Sequence, residues 1–92
     1  MERRIQNVME DFVYDMLDPV LKTKPNVCTC AKCKDDIAAL ALNQLQPRYV
    51  SSEKGGLFTR AEILNSKLRT SIVVCLAEAA EIITANPRHD RE

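Results

Sequence analysis

Residues 28–50 read CTCAKCKDDIAALALNQLQPRYV, and this stretch decides what kind of domain the chain forms. Its first six positions hold three of the four cysteines in the protein. Behind them Ile37, Leu40, Ala41 and Leu45 recur at helical spacing, and Pro47 closes the run. The pattern predicts a helix from about Lys34 to Leu45. Asp35 and Asp36 then occupy its first turn, where negative charge complements the helix dipole. A thiol cluster is thus delivered just ahead of a helix, on a short segment able to turn several sulfurs toward one point.

Upstream, residues 2–18 predict an amphipathic helix whose buried face is Ile5, Val8, Met9, Phe12, Val13, Met16 and Leu17. Asp18-Pro19 predicts its end, because a residue before proline is pushed out of helical geometry. Residues 19–27 then form a linker. Downstream, residues 46–58 read as irregular chain containing the only two glycines, Gly55 and Gly56, which permit a turn with positive φ. Thr59 and Glu62 have the spacing of a capping box and open the longest helix. Its apolar band is Ile63, Leu64, Leu68, Ile72, Val73, Leu76, Ala79, Ile82 and Ile83, and Asn86-Pro87 ends it. The fold class is all-α, with three main helices around one core in a single domain of residues 1–92. Residues 85–92 form a partly flexible polar tail.

Ninety-two residues leave a thin stability margin, and such domains often lean on a metal, a disulfide or a second subunit. The wide apolar band on the last helix predicts a homodimer; the competing reading is that the band faces the monomer's own core. Thirteen basic residues balance thirteen acidic ones, which speaks against bulk nucleic-acid binding. The balance is uneven, because residues 47–70 carry five basic groups against two acidic ones. No stretch approaches the roughly 18 apolar residues of a membrane span, and MERRIQNVMEDF lacks a signal-peptide core. A cytoplasmic location is therefore expected, where thiols stay reduced.

Zinc is the leading reading of the cysteines. Thiolates of Cys28, Cys30 and Cys33 at C-x-C-x2-C spacing can converge on an ion about 2.3 Å from each sulfur. The competing reading is one packed cysteine and two exposed ones, with no metal. Two residues compete for the fourth position. Cys75 sits mid-helix among apolar neighbours, where a free cysteine behaves as a small hydrophobe. His89, the only histidine, lies on the tail and completes a Cys3His set, and it is preferred. Four protein ligands leave no open position for water or substrate, so the site would be structural and the protein not an enzyme.

The combination of C-x-C-x2-C, a following acidic residue, the ALALN helix, the PRYV exit and the LAEAAEII…NP ending resembles the late competence protein ComFB family. The resemblance runs over nearly the whole chain. It implies a small helical homodimer with a structural zinc site held by Cys28, Cys30 and Cys33. Some relatives carry a further cysteine in the C-terminal tail, which favours His89 over Cys75 here. The family is linked to competence in some bacteria, and some members bind cyclic dinucleotide messengers.

A phosphate-bearing ligand would find its partners in residues 47–60. Arg48 offers a fork of donors suited to phosphate or a guanine edge, and Tyr49 offers a stacking face. Lys54 beside the glycines brings charge close to a phosphate, and Thr59 and Arg60 stand at a helix start, which favours anions. Each has a plainer role as well: Arg48 and Lys54 as solvated loop charges, Tyr49 as a loop anchor, Thr59 as a cap. The functional expectation is a zinc-stabilised dimeric binding module for cyclic di-GMP or cyclic di-AMP that signals to a protein partner. The alternative is an adaptor acting by protein–protein contact without a small ligand.

Overall fold

The computed structural model describes residues 4–64 and 67–86. Among them the order is β1 (Gln6–Asn7), α1 (Val8–Lys22), α2 (Ala31–Gln44), β2 (Tyr49–Val50), α3 (Glu53–Leu64) and α4 (Leu68–Ala85). The chain is mostly helical, as the sequence indicates, but it has four helices among the described residues where three were expected.

The first helix begins later and ends later than its sequence implies. Residues 6–7 are strand, pairing antiparallel with β2 through Gln6–Val50 and Asn7–Tyr49. Ile5 is therefore exposed and stands outside the buried stripe. Asn7 caps α1, its Oδ1 accepting from the Met9 N–H at 3.2 Å. At the other end the helix passes through Pro19. An interior proline costs about 3 kcal/mol, and burial of Val20 and Leu21 returns about 1.5–3 kcal/mol each. That burial is sufficient to carry the helix to Lys22.

The second helix starts three residues before the expected Lys34. Cys30 is its N-cap, and the thiol accepts from the Cys33 N–H at 3.4 Å. A sulfur thus serves where an oxygen usually caps, and Asp35 and Asp36 fall beyond the first turn.

The largest departures lie between residues 46 and 66. The expected loop contains strand β2 and the beginning of α3. Neither glycine has positive φ, and both are helical. The helix starts at Glu53 behind Ser52, whose Oγ accepts from the Gly55 N–H at 3.0 Å while its carbonyl accepts from the Gly56 N–H at 3.0 Å. Thr59 is consequently mid-helix and caps nothing. The single helix expected over 59–84 is two helices, α3 and α4, and α4 lacks a side-chain cap at Lys67.

The core is built mainly by three helices, with one residue from the fourth. Val8, Met9, Phe12, Val13, Leu17, Val20 and Leu21 come from α1, Ile37, Ala38 and Ala41 from α2, and Ile72, Leu76, Ala79 and Ala80 from α4. The α2–α4 face is the most extensive. From α3 the buried side chain is Ile63. The Cα envelope measures 44 × 35 × 17 Å, a flat slab with little depth in which to hide apolar surface. No helix among the described residues is long and apolar enough to cross a membrane.

Candidate metal centre

Cys28, Cys30 and Cys33 sit where the linker after α1 enters α2. Thr23 closes α1, donating from Oγ1 to the Val20 carbonyl at 2.7 Å. Asn26 takes a left-handed backbone, φ 65°, which asparagine tolerates better than most residues. Half-buried Val27 packs on the core, and the cysteines follow. Two ion pairs fix this end from both sides: Lys24 to Glu81 of α4 at 2.5 Å, and Lys34 to Asp18 of α1 at 2.9 Å. The start of α2 is thereby tied to α1, and the linker that leads to it is tied to α4.

The three Sγ atoms all lie within 4.8 Å of one another. A tetrahedral ion with bonds of about 2.3 Å spaces its sulfurs about 3.8 Å apart. Contraction by about one ångström closes the set on an ion, a movement that small side-chain rotations supply. The donor chemistry fits a thiophilic cation such as zinc, and three converging sulfurs can hold a metal ion. Cys33 is fully buried, Cys28 half-buried and Cys30 exposed, so the set is anchored on the core and open on one side.

Electrostatics divide the three thiols. Cys28 is drawn below the ordinary thiol range, first by the Cys30 backbone N–H and then by the Cys33 and Cys30 side chains. Cys33 is pushed up to about 12, first by burial and then by its hydrogen bonds to Cys28 and Cys30 and their charge. Ionised sulfurs this close repel one another, and a divalent cation removes that repulsion while releasing the protons.

Cys75 does not join the cluster. It lies half-buried on α4 against the core, its thiol raised by burial and then by the charge of Glu78. His89, the preferred fourth ligand, lies outside the described residues. The last helix runs on to Ala85, past Glu81, which is tied to Lys24 of the linker before the cysteines. Thr84 Oγ1 and Asp36 Oδ2 are buried and have no hydrogen-bond partner among the described residues.

The residues read as a ligand surface are not gathered into one site. Arg60 lines a groove of about 460 Å³ between β2 and α3, with Arg4, Gln6, Ser51, Ser52 and Leu57. There it is ion-paired to Asp11 and lies over the Phe12 ring at 5.7 Å. Arg48 lines a separate hollow with Glu62, Lys67 and Ser71, and Tyr49 a third with Glu10 and Asp11. The Arg48 backbone is structural: its N–H donates to Asn7 Oδ1 at 2.8 Å, and its carbonyl accepts from Val8 at 2.7 Å. Lys54 is exposed, and Thr59 is half-buried within α3. Ser51 and Ser52 are missed by reading residues 46–58 as irregular chain, and Arg4 by placing residues 2–18 in one helix. The signal for the serines was Ser52 as a cap, with the helix beginning behind it.

Comparison with known proteins follows the same lines. The profile of the late competence development protein ComFB family matches residues 6–87. The competence protein ComFB of Bacillus subtilis (strain 168) is 33% identical over 81 residues, covering 88% of this chain and 83% of that one. A solved structure of the late competence protein ComFB from Bacillus subtilis superposes with a TM-score of 0.82 at 32% identity. It covers 90% of this chain and 91% of that one. The match spans the cysteine cluster and all four helices, and the chain belongs to the ComFB family.

Proposed function

We propose that the protein is a non-enzymatic, zinc-stabilised binding module that works as a homodimer and takes a cyclic dinucleotide, cyclic di-GMP or cyclic di-AMP. The observation that carries the ligand reading is the 460 Å³ groove beside β2, lined by Arg4 and Arg60 with the Ser51 and Ser52 hydroxyls. Two guanidinium groups and a pair of hydroxyls, set against the single carboxylate of Glu53 in the lining, suit a phosphate diester. Arg48 and Tyr49, before and within β2, face separate hollows and would act as secondary contacts, and Lys54 and Thr59 belong to the helix that forms the groove wall. Zinc is held by Cys28, Cys30 and Cys33, with His89 of the tail as fourth ligand. The ion pair of Glu81, near the end of α4, with Lys24 of the linker that leads into the cysteines supports this assignment.

A second copy accounts for the apolar surface that the slab leaves uncovered. Val74 and Ile82 on α4 are exposed at 47% and 57%. A symmetric dimer covers such a face with its own counterpart.

Calorimetric titration of the zinc-loaded protein with each messenger tests the ligand. Saturable binding near one molecule per dimer is expected, weakened at least tenfold by Arg4→Ala and by Arg60→Ala, with a smaller effect from Arg48→Ala. Absence of heat with both messengers in a folded dimer overturns it. One observation favours the adaptor reading in that event: Leu57 and Phe58 on α3 are exposed at 69% and 68%, a surface suited to a protein partner.

A further inference from the structure

We propose that Cys30 and Cys33 form a reversible dithiol–disulfide pair, giving the cluster an oxidised state that releases its metal. The release rests on the zinc reading above; the pairing of the two sulfurs does not.

The geometry selects this pair from three sulfurs. Cys30 is the N-cap of α2 and Cys33 lies in its first turn. Residues three apart across a helical turn have Cα atoms about 5 Å apart, inside the range of about 4.4–6.8 Å that disulfides span. The Cys30 sulfur is already turned over that helix end, accepting the Cys33 N–H at 3.4 Å. Cys28 lies on irregular chain two positions before Cys30, and no regular element fixes its Cα against either neighbour. Accessibility then orders the chemistry. Cys30 is exposed and meets the oxidant, whereas Cys33 is buried and can react only with a partner inside the cluster.

With a hydroperoxide as oxidant the steps balance. The Cys30 thiolate attacks one peroxide oxygen, the O–O bond breaks, and a sulfenic acid forms as the departing hydroxide or alkoxide takes a proton. The Cys33 thiolate then attacks the Cys30 sulfur and expels hydroxide, which leaves as water. Each sulfur gives up one electron, and the peroxide oxygens gain two. Two of the three sulfur ligands are consumed, so the ion departs and Cys28 takes up a proton. A dithiol reductant reverses the change by thiol–disulfide exchange.

Lys32 lies between the two cysteines and makes the bond readable. Trypsin cleaves there, separating a peptide that carries Cys28 and Cys30 from one that carries Cys33. Full-length protein, zinc-loaded and metal-free, would be treated with hydrogen peroxide and mapped without reduction, with a chromogenic chelator following zinc. The expected map shows the two peptides linked, with the link kept in Cys28→Ser and lost in Cys30→Ser. Zinc should appear at one ion per disulfide. A Cys28–Cys30 bond, a link that survives Cys30→Ser, or sulfinic acid without a disulfide overturns the pair. Zinc retained by disulfide-bonded protein overturns the release. Failure to take up zinc at all counts against the metal reading, and the map of the metal-free chain still decides the pair.

Discussion

The two ends of this molecule are built on different principles. At the cysteine end, the chemistry lies in six consecutive residues, and the first turn of α2 sets Cys30 and Cys33 relative to each other. At the β1–β2 end, the groove assembles residues 4 and 6 with residues 50–60, brought together by one short antiparallel pair and the Asn7 cap. Local sequence spacing determines the first site, and tertiary packing determines the second. The first should therefore depend on the ion and tolerate changes elsewhere, whereas the second should depend on whatever holds β1, β2 and α3 in register.

The largest effect is expected at the cysteine end. Cys30→Ser removes one of the three converging sulfurs and should abolish metal binding, with melting lowered by on the order of 10 °C or more. Calorimetric scans with parallel metal analysis check this, and native melting with full metal would erase the contrast between the ends. Next comes Ile63→Ala, which takes away the buried side chain of α3. It should cost about 2–5 kcal/mol by denaturant titration while leaving metal content unchanged.

Asn7→Ala follows. Its Oδ1 accepts from both Met9 and Arg48, so one substitution unties α1's cap and the entry to β2. A loss of about 1–2 kcal/mol is expected, with faster amide exchange at Arg48 and no change in metal. Cys75→Ala sharpens the same contrast: metal content unchanged, with about 1 kcal/mol or less of packing lost from a half-buried position. Loss of metal there would move the fourth ligand onto α4.

The smallest effect concerns pH. The Tyr14 hydroxyl donates to Asp35 at 3.4 Å, and its ionisation is raised by partial burial and then by that carboxylate's charge and hydrogen bond. A raised value favours the neutral phenol in the folded state. The contribution is thus complete below the ordinary tyrosine range and fades as pH climbs through the raised value. Tyr14→Phe should cost a few tenths of a kcal/mol at neutral pH and flatten the stability profile above about pH 10.

The cysteine end was legible in sequence because its signal is a spacing. Cys28, Cys30 and Cys33 converge because few residues separate them, and the only error there was to start α2 at Lys34. That start was set by placing Asp35 and Asp36 in the first turn, whereas the Cys30 sulfur caps the helix three residues earlier. Pro19 misled for a different reason: its local penalty is real, and the buried Val20 and Leu21 outweigh it only once the core is assembled. Residues 46–66 were least legible. Two glycines and a capping-box spacing at Thr59 argue for a loop and a later start. The observed helix instead begins at Glu53 behind Ser52 and is secured by packing of Ile63. Asn7 was readable, since an asparagine before Val8 and Met9 with Glu10 and Asp11 behind it has the form of a helix start. Its second bond, to Arg48, depends on residues 41 positions apart and has no local signature.

The most direct measurement is the metal content of the purified protein, taken by elemental analysis beside Cys28→Ser, Cys30→Ser and Cys33→Ser. The expected result is one zinc per chain, absent from all three variants, with stability falling in step. A native fold carrying no metal, or variants that keep it, would contradict the assignment of this cluster as the structural centre of the domain.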